Sequence, residues 1–257
     1  MKAPIIIIGI GELGGEFARG FLRCDHPVFP VTRTINMAEL SQQIPSPALV
    51  LIAVQESELQ KTLEQLPDNW RDKVGLLQNE LLPRDWQPYR LVNPTITVVW
   101  FEKKPGMALS NILYSPSYGS QALLITEALQ AIKIPTRILN NEDELLFQLV
   151  RKSLYIYTVN ICGLHSNYTV GDLWHHHQSL ALEVAEEILS IQEWLTGKKL
   201  PKNDLIAAMV EGIEDCPDRY CLGRSALSRL QRVLDYAKKA GIKAPKLMQI
   251  YQLKNPD

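Results

Sequence analysis

A glycine-rich turn near the N-terminus constrains the fold of this chain more than any other feature. The apolar run at residues 5–8 ends in Gly9-Ile10-Gly11-Glu12-Leu13-Gly14, which has the form G-x-G-x-x-G, and apolar residues at helical spacing follow. This order predicts a strand, a tight turn and a helix whose N-terminal N–H groups can bind phosphate. Gly9 can adopt backbone angles closed to other residues, Gly11 lets a pyrophosphate approach the main chain, and Gly14 lets helix and strand pack closely. A glycine turn without a ligand is the alternative that the pattern alone leaves open.

Composition and charge exclude several classes of function. A chain of 257 residues with 46% hydrophobic content can bury one large core or two smaller ones. The net charge of −1 gives no reason to expect nucleic acid or a membrane surface as a partner. The four cysteines match neither a zinc pattern nor a disulfide framework, and the N-terminus lacks the pattern of a secretory signal, so we expect a cytoplasmic protein. The three consecutive histidines at 175–177 are more typical of a solvated surface than of a metal site, and we predict no metal.

An arginine follows the second predicted strand. Residues 28–32 have strand character, and Arg33 comes directly after them. In a dinucleotide fold an acidic residue about 20 residues beyond the glycines binds the 2′-hydroxyl of NAD, whereas an arginine accommodates the 2′-phosphate of NADP. Arg33 therefore favours NADP(H), with a merely solvated arginine as the alternative.

Two further apolar strands end at polar residues. The strand at 49–54 is followed by Gln55, and the strand at 74–78 by Asn79. Strands with little polar alternation between helices are typical of a parallel sheet covered on both faces, and ligands collect at the carboxyl ends of such strands. We therefore expect Gly9, Arg33, Gln55 and Asn79 along one edge of the sheet.

The pattern becomes mixed after residue 91 and purely helical after residue 140. Strand-like segments at 96–101, 112–114 and 136–139 surround a predicted helix at 120–132, and segments 103–106 and 115–119 have the composition of turns. From Asn141 onward the spacing predicts helices over 142–164, 180–195, 204–213 and 224–239. The predicted fold is α/β, with a Rossmann-type domain at 1–140 and an all-α domain at 141–257.

The first predicted helix of the second domain contains a candidate proton donor, Lys152. Asn160 follows eight residues later, and at 100° per residue the two side chains differ by about 80° in azimuth, so both can border one cleft. A lysine facing a cofactor can polarise a carbonyl and protonate the developing alkoxide. A lysine whose stem lies along a solvated helix face is the alternative.

In order and spacing, these motifs resemble the ketopantoate reductase (2-dehydropantoate 2-reductase) family over nearly the whole chain. Besides the glycine turn, Arg33 and Lys152, the resemblance includes Leu76-Leu77-Gln78-Asn79, Thr169-Val170-Gly171-Asp172-Leu173 and Gly241-Ile242-Lys243-Ala244-Pro245. It implies that an N-terminal Rossmann domain binds NADPH. It also implies that a helical domain, of the type found at the C-terminus of 6-phosphogluconate dehydrogenase, closes over the nicotinamide and a small 2-keto acid. A homodimer is one possible assembly.

The resemblance assigns roles to particular residues. It implies that Lys152 is the proton donor, that Asn79 lies near nicotinamide and substrate, that Asn160 binds substrate, and that Arg33 contacts the 2′-phosphate. The predicted catalytic residues are Lys152, Asn79 and Asn160, and the predicted cofactor-binding residues are Gly9, Gly11, Glu12, Leu13, Gly14, Arg33, Gln55 and Asn79.

Four departures from the family pattern leave a second function open. Glu80 stands where the family has glycine, Ser225 where it has an acid, Gln55 where it has lysine, and Ile156 where it has asparagine. The first hypothesis is an NADPH-dependent reductase of a small 2-keto acid. The second is a catalytically weakened NADP(H)-binding sensor or scaffold protein. An imine reductase of the pyrroline-carboxylate type shares the architecture, but the lysine helix gives it little support.

Overall fold

The computed structural model describes residues 2–254, which fall into two compact units, Met1–Leu149 and Val150–Asp257. The strands of the first unit are β1 (Ile5–Ile8), β2 (Val28–Val31), β3 (Leu49–Ile52), β4 (Val74–Leu76), β5 (Thr95–Thr97), β6 (Phe101–Glu102), β7 (Ser110–Asn111), β8 (Ser115–Tyr118) and β9 (Thr136–Ile138). Its helices are α1 (Glu12–Arg23), α2 (Met37–Gln43), α3 (Leu59–Glu64) and α4 (Ala122–Ala131). Helix α5 (Glu142–His165) begins in the first unit and continues into the second.

A seven-stranded mixed sheet forms the centre of the first unit, in the order β2-β1-β3-β4-β5-β8-β9. Strands β2, β1, β3, β4 and β5 are parallel, β8 runs antiparallel to β5, and β9 is parallel to β8. The chain leaves β1 toward β2 on one side and then crosses to β3 on the other. Because this reversal opens a crevice at the carboxyl ends of β1 and β3, it is the place where ligands bind in such sheets.

The sheet and two helices share one hydrophobic core. The fully buried side chains of β1 and β3 pack with those of α1 and α4, and Gly20 allows α1 to approach α4 so closely that a Cβ there would lie 2.4 Å from the Ala128 carbonyl oxygen. Burial of this apolar surface is the main stabilising contribution to such a unit. The core includes Ile5, Ile7, Phe17, Phe21, Leu49, Leu51, Leu77, Val99, Phe101, Ile125, Ala128, Leu129, Ile132 and Ile134.

Two local predictions in the mixed part of the sheet are wrong. Segment 115–119 was expected to be a turn, but residues 115–118 form β8, an interior strand. Its polar side chains are tolerated there because the Thr97 and Ser117 hydroxyls lie 2.9 Å apart and Ser115 Oγ accepts a hydrogen bond from the Trp100 amide at 2.8 Å. The strand expected at 112–114 is absent, and the neighbouring β7 pairs with β6 in a separate hairpin.

The second unit is a helical bundle. After α5 it contains α6 (Val170–His176), α7 (Gln178–Thr196), α8 (Lys202–Glu214), α9 (Ala226–Ala240) and α10 (Pro245–Lys254). Helix α7 packs against α6, α8, α9 and α10 through a buried apolar face. The Glu187 carboxylate caps α10 by accepting hydrogen bonds from the amides of Lys246 and Leu247 at 2.8 and 2.9 Å.

The predicted fold class is confirmed: a parallel-dominated sheet with flanking helices precedes a helical part. The helices expected from periodicity all form, within a few residues of the predicted limits. Among residues 2–254, no helix combines the length and the apolar character needed to cross a membrane.

Candidate functional site

The glycine turn is held by two close backbone contacts that a side chain would prevent. Gly9 has φ +94°, and a Cβ on it would lie 2.9 Å from the carbonyl carbon and oxygen of Ala53 at the end of β3. A Cβ on Gly14 would lie 2.2 Å from the Gly9 carbonyl oxygen. Both positions therefore require glycine, and the turn lies at the crevice between β1 and β3.

The turn leaves space where a phosphate group would approach. Gly11 is the N-cap of α1, is extended and exposed, and makes no side-chain cap hydrogen bond. A Cβ built on Gly11 meets no neighbouring atom within 4 Å. Because the first N–H groups of a helix have no intrahelical partner, this open position offers them to an anion. These residues fit the pyrophosphate of a dinucleotide.

Arg33 lies beside the turn. Ile8 pairs with Val31 across β1 and β2, and the Gly9 amide donates a hydrogen bond to the Val31 carbonyl at 3.2 Å. Arg33 follows two residues later in the exposed turn that leads to α2, flanked by Thr32 and Thr34, whose hydroxyls lie 3.0 Å apart. The pairing of β1 with β2 therefore brings a segment that carries a cation and two hydroxyl groups next to the glycine turn.

Gln55 and Asn79 lie at the carboxyl ends of the next two strands, as the sequence predicts. Gln55 is exposed and Asn79 is half-buried. The sequence assigned no role to Gln78, whose buried amide donates hydrogen bonds to the carbonyls of Ile52 at 2.8 Å and Val54 at 3.2 Å. Gln78 therefore connects the ends of β3 and β4 and positions the backbone just before Asn79.

Glu80 occupies a backbone conformation typical of glycine. Its φ is +61°, in the left-handed region that bulky residues rarely adopt. In the same segment, burial is the largest cause that raises the pKa of the Asp85 carboxyl, and the charge of Glu80 also raises it. The chain thus places a carboxylate directly after Asn79, in a left-handed turn.

Lys152, Ile156 and Asn160 share one side of α5. All three are half-buried, while the intervening residues at 153–155 and 157–159 are buried. Their spacing of four residues places them along a single stripe. Lys152 and Asn160 therefore border the same surface of the helix, with an apolar side chain between them. Arg151 is buried on another side, where it donates to the Ala208 carbonyl at 2.9 Å and to Glu211 at 2.8 Å.

Asn160 is oriented by residues of its own unit. Its Nδ2 donates to the Cys221 carbonyl at 3.2 Å, and its Oδ1 accepts a hydrogen bond from Arg229 Nη1 at 2.7 Å. Gly223 lies so close that a Cβ there would be 2.6 Å from Asn160 Oδ1. Because an amide has two N–H groups and two acceptor sites, it retains capacity for a ligand. Sequence reasoning missed Arg229, which is far away in the chain and belongs to no recognised motif.

Other polar and ionisable residues of the second unit lie apart from Lys152 and Asn160 in the sequence. Ser225 is the exposed residue preceding α9, and His165 ends α5, with its Nδ1 3.3 Å from the Tyr168 hydroxyl. Within residues 2–254, no group of three or more histidine, cysteine or acidic side chains has the arrangement of a metal site. Burial raises the pKa of Cys221 to about 12, so its thiol stays protonated and unreactive.

The comparisons with known proteins bear on the fold. No protein-family model matches the sequence, and no curated protein matches it. Among solved structures, a probable 2-dehydropantoate 2-reductase from Bacillus subtilis has a TM-score of 0.70 at 14% identity, covering 97% of this chain and 98% of that one. A dimeric ketopantoate reductase from Staphylococcus aureus has a TM-score of 0.64 at 14% identity, covering 97% and 96%.

A D-mandelate dehydrogenase bound to NADH and anilino(oxo)acetate is also similar, with a TM-score of 0.66 at 14% identity over 97% of this chain and 96% of that one. Identities this low establish the architecture and leave the chemistry to the residues of the site. The chain is thus built, over nearly its whole length, on the fold of the ketopantoate reductases.

Proposed function

We propose that this chain is an NADP(H)-dependent reductase acting on a small 2-keto acid. The observation that carries the proposal is the glycine turn at the reversal between β1 and β3, with Arg33 beside it. An open backbone N-terminus for the pyrophosphate and a cation for the 2′-phosphate are the two features that NADP(H) needs. The fold shared with ketopantoate reductases and with an NADH-bound dehydrogenase supports a nicotinamide cofactor.

In this proposal the bound cofactor supplies a hydride to the carbonyl carbon of the substrate. Lys152 donates a proton from Nζ to the carbonyl oxygen, and its positive charge stabilises the developing alkoxide. Asn160 holds the substrate by hydrogen bonds in this proposal, and the contacts to Cys221 and Arg229 fix its orientation. The carbonyl becomes a hydroxyl group, with one hydride and one proton added.

NADPH titration and turnover with a panel of 2-keto acids test this function. We expect saturable NADPH binding and oxidation of NADPH with at least one keto acid. Lys152→Ala should lower kcat by roughly 10²–10⁴-fold, because general-acid catalysis is lost, while the Kd for NADPH stays nearly unchanged. Lys239→Ala, an exposed lysine on α9, is the control. Equal kcat in wild type and Lys152→Ala would remove Lys152 from the mechanism.

Arg33 determines the preference for NADPH in this proposal. Arg33→Ala should weaken NADPH binding about tenfold while leaving NADH binding nearly unchanged, because only NADPH carries the 2′-phosphate. Isothermal titration with both cofactors measures the ratio. If Arg33→Ala weakens both cofactors equally, the assignment of the 2′-phosphate to Arg33 is wrong.

A catalytically weakened NADP(H)-binding sensor or scaffold is the second candidate. It is favoured by Glu80, which adds a carboxylate in a glycine-like turn beside Asn79, and by Ile156, which separates Lys152 from Asn160. Ser225 and Gln55 also favour it, because each is an uncharged residue where the family pattern described above has a charged one. Pure protein that binds NADPH but oxidises none of it with any keto acid would favour this candidate, whereas steady turnover would exclude it.

We also propose a cytoplasmic location and a homodimeric assembly. The free cysteines fit a reducing compartment, and the S. aureus structure of the same fold is a dimer. Light scattering on the purified chain measures the assembly directly.

A further inference from the structure

A basic hairpin adjoins the glycine turn. Strands β6 and β7 form this hairpin, and it is anchored on the first unit by Phe101, whose ring lies 5.9 Å from that of Phe17 on α1. Leu109, near its other end, packs against the same core. These two contacts fix the hairpin alongside α1, one and a half turns from the start of that helix.

The hairpin delivers a lysine to the first residue of α1. Lys103 Nζ lies 3.7 Å from Glu12 Oε2, and it also donates to the carbonyl oxygens of Lys104 and Met107. The Lys103 side chain is 21% exposed and that of Glu12 is 42% exposed, so the pair is accessible from solvent. Glu12 follows Gly11 directly, in the turn whose open face fits a pyrophosphate.

Glu12 by itself is unfavourable for a phosphate ligand. A carboxylate at the first position of α1 is a like charge near the place where a pyrophosphate would bind, and like charges repel. Lys103 offsets that charge. An ammonium group on a flexible four-carbon stem can move between two neighbouring anions at little cost.

We propose that Lys103 is a cofactor-binding residue that exchanges its ion pair with Glu12 for one with the pyrophosphate of the dinucleotide. This inference rests on the proposed function and adds to it a residue outside the G-x-G-x-x-G turn. The hairpin thereby contributes a cation to a pyrophosphate site whose other donors are backbone N–H groups. The electrostatic contribution of Lys103 decreases as salt screens the exposed charges.

Titrations with NADPH at low and high salt test the exchange. Lys103→Ala should raise the Kd for NADPH about tenfold at low salt, and the Kd should then depend less on salt than in wild type. Glu12→Gln should lower the Kd, because it removes the like charge and the competing partner of Lys103. Lys104→Ala is the matched control, since Lys104 lies next along the hairpin, is 56% exposed and pairs with Glu102 at 3.3 Å. We expect no change in Kd for that variant.

Titration with adenosine 2′-monophosphate, which has no pyrophosphate, distinguishes the contribution of Lys103 to binding from that of Arg33. Lys103→Ala should leave its Kd unchanged, whereas Arg33→Ala should raise it. If wild type and Lys103→Ala bind NADPH with the same Kd, the inference is overturned and the proposed function stands. The same holds if Lys103→Ala raises the Kd for NADPH and the Kd for adenosine 2′-monophosphate equally. Absence of saturable NADPH binding by the wild-type protein would overturn the proposed function and the inference with it. Thermal melting of each variant, expected to match wild type, verifies that the changes in Kd are local.

Discussion

Two adjacent glycines in α1 have different roles. Gly14 touches the Gly9 carbonyl oxygen, where a Cβ would lie 2.2 Å away, whereas a Cβ on Gly15 meets no neighbouring atom within 4 Å. The conservative change from glycine to alanine is therefore excluded at one position and allowed at the next. This contrast gives a direct test of whether the geometry of the turn matters for binding.

We expect Gly14→Ala to abolish or strongly weaken NADPH binding and to destabilise the chain by about 1–3 kcal/mol, because the turn must shift to admit the methyl group. Gly15→Ala should keep NADPH affinity and raise stability by up to about 1 kcal/mol, because alanine is the better helix former. NADPH titration and urea denaturation of both variants measure these effects. Similar affinity in the two variants would show that the Gly9–Gly14 contact does not control the site.

Single residues also show the limits of sequence reasoning. The role of Gly14 could be predicted because its contact with the Gly9 carbonyl lies within one strand, turn and helix, whereas the close approach of Gly9 to Ala53, 44 positions away, is visible only in the structure. The partners of Asn160 could not, because Cys221 and Arg229 are 61 and 69 positions away and carry no local pattern. The position of Glu80 was noted from the resemblance, but only the structure shows its left-handed backbone.

At the scale of elements, helix periodicity was a better guide than strand composition. The long amphipathic and apolar helices of the second unit formed where their spacing indicated, since each buries a face several turns long. Strand β8 was missed because its sequence, Ser115-Pro116-Ser117-Tyr118, has the composition of a turn. The burial of β8 depends on hydrogen-bond partners for its two serine hydroxyls. These partners are the Thr97 hydroxyl and the Trp100 amide, which lie 15 to 20 positions earlier in the sequence.

Arg151 connects two elements of the second unit. It is 3% exposed on α5 and donates hydrogen bonds to the Ala208 carbonyl and to Glu211, both on α8. Arg151→Leu should lower the free energy of unfolding by about 2 kcal/mol, because the Ala208 carbonyl and the Glu211 carboxylate lose their hydrogen-bond donor. Urea denaturation measures the change.

The exposed Arg224 provides the control for this experiment, since Arg224→Leu should change stability by less than about 0.5 kcal/mol. Equal denaturation midpoints for wild type and Arg151→Leu would show that the link between α5 and α8 contributes nothing to stability.

At the scale of the whole molecule, the architecture could be predicted from the sequence, whereas the substrate could not. The parallel-dominated sheet with flanking helices and the helical second unit match the ketopantoate reductase fold, at 14% identity to the B. subtilis structure. The order of apolar segments was enough to predict an α/β part followed by a helical part, because burial of alternating strands and helices allows few arrangements. The substrate could not be predicted, since specificity depends on a few side chains whose mutual positions the sequence does not give.

The outermost strand of the sheet has a consequence for how copies of this chain can associate. Pro30 lies in the middle of β2, opposite Ile7, and its exposed ring leaves no N–H on the rim of the sheet at that position. An extended segment from another molecule would therefore lose a main-chain bond and meet a rigid ring if it tried to lengthen the sheet there. This rim of the sheet is protected against runaway strand addition, so any association of copies through the β2 edge must use side-chain contacts.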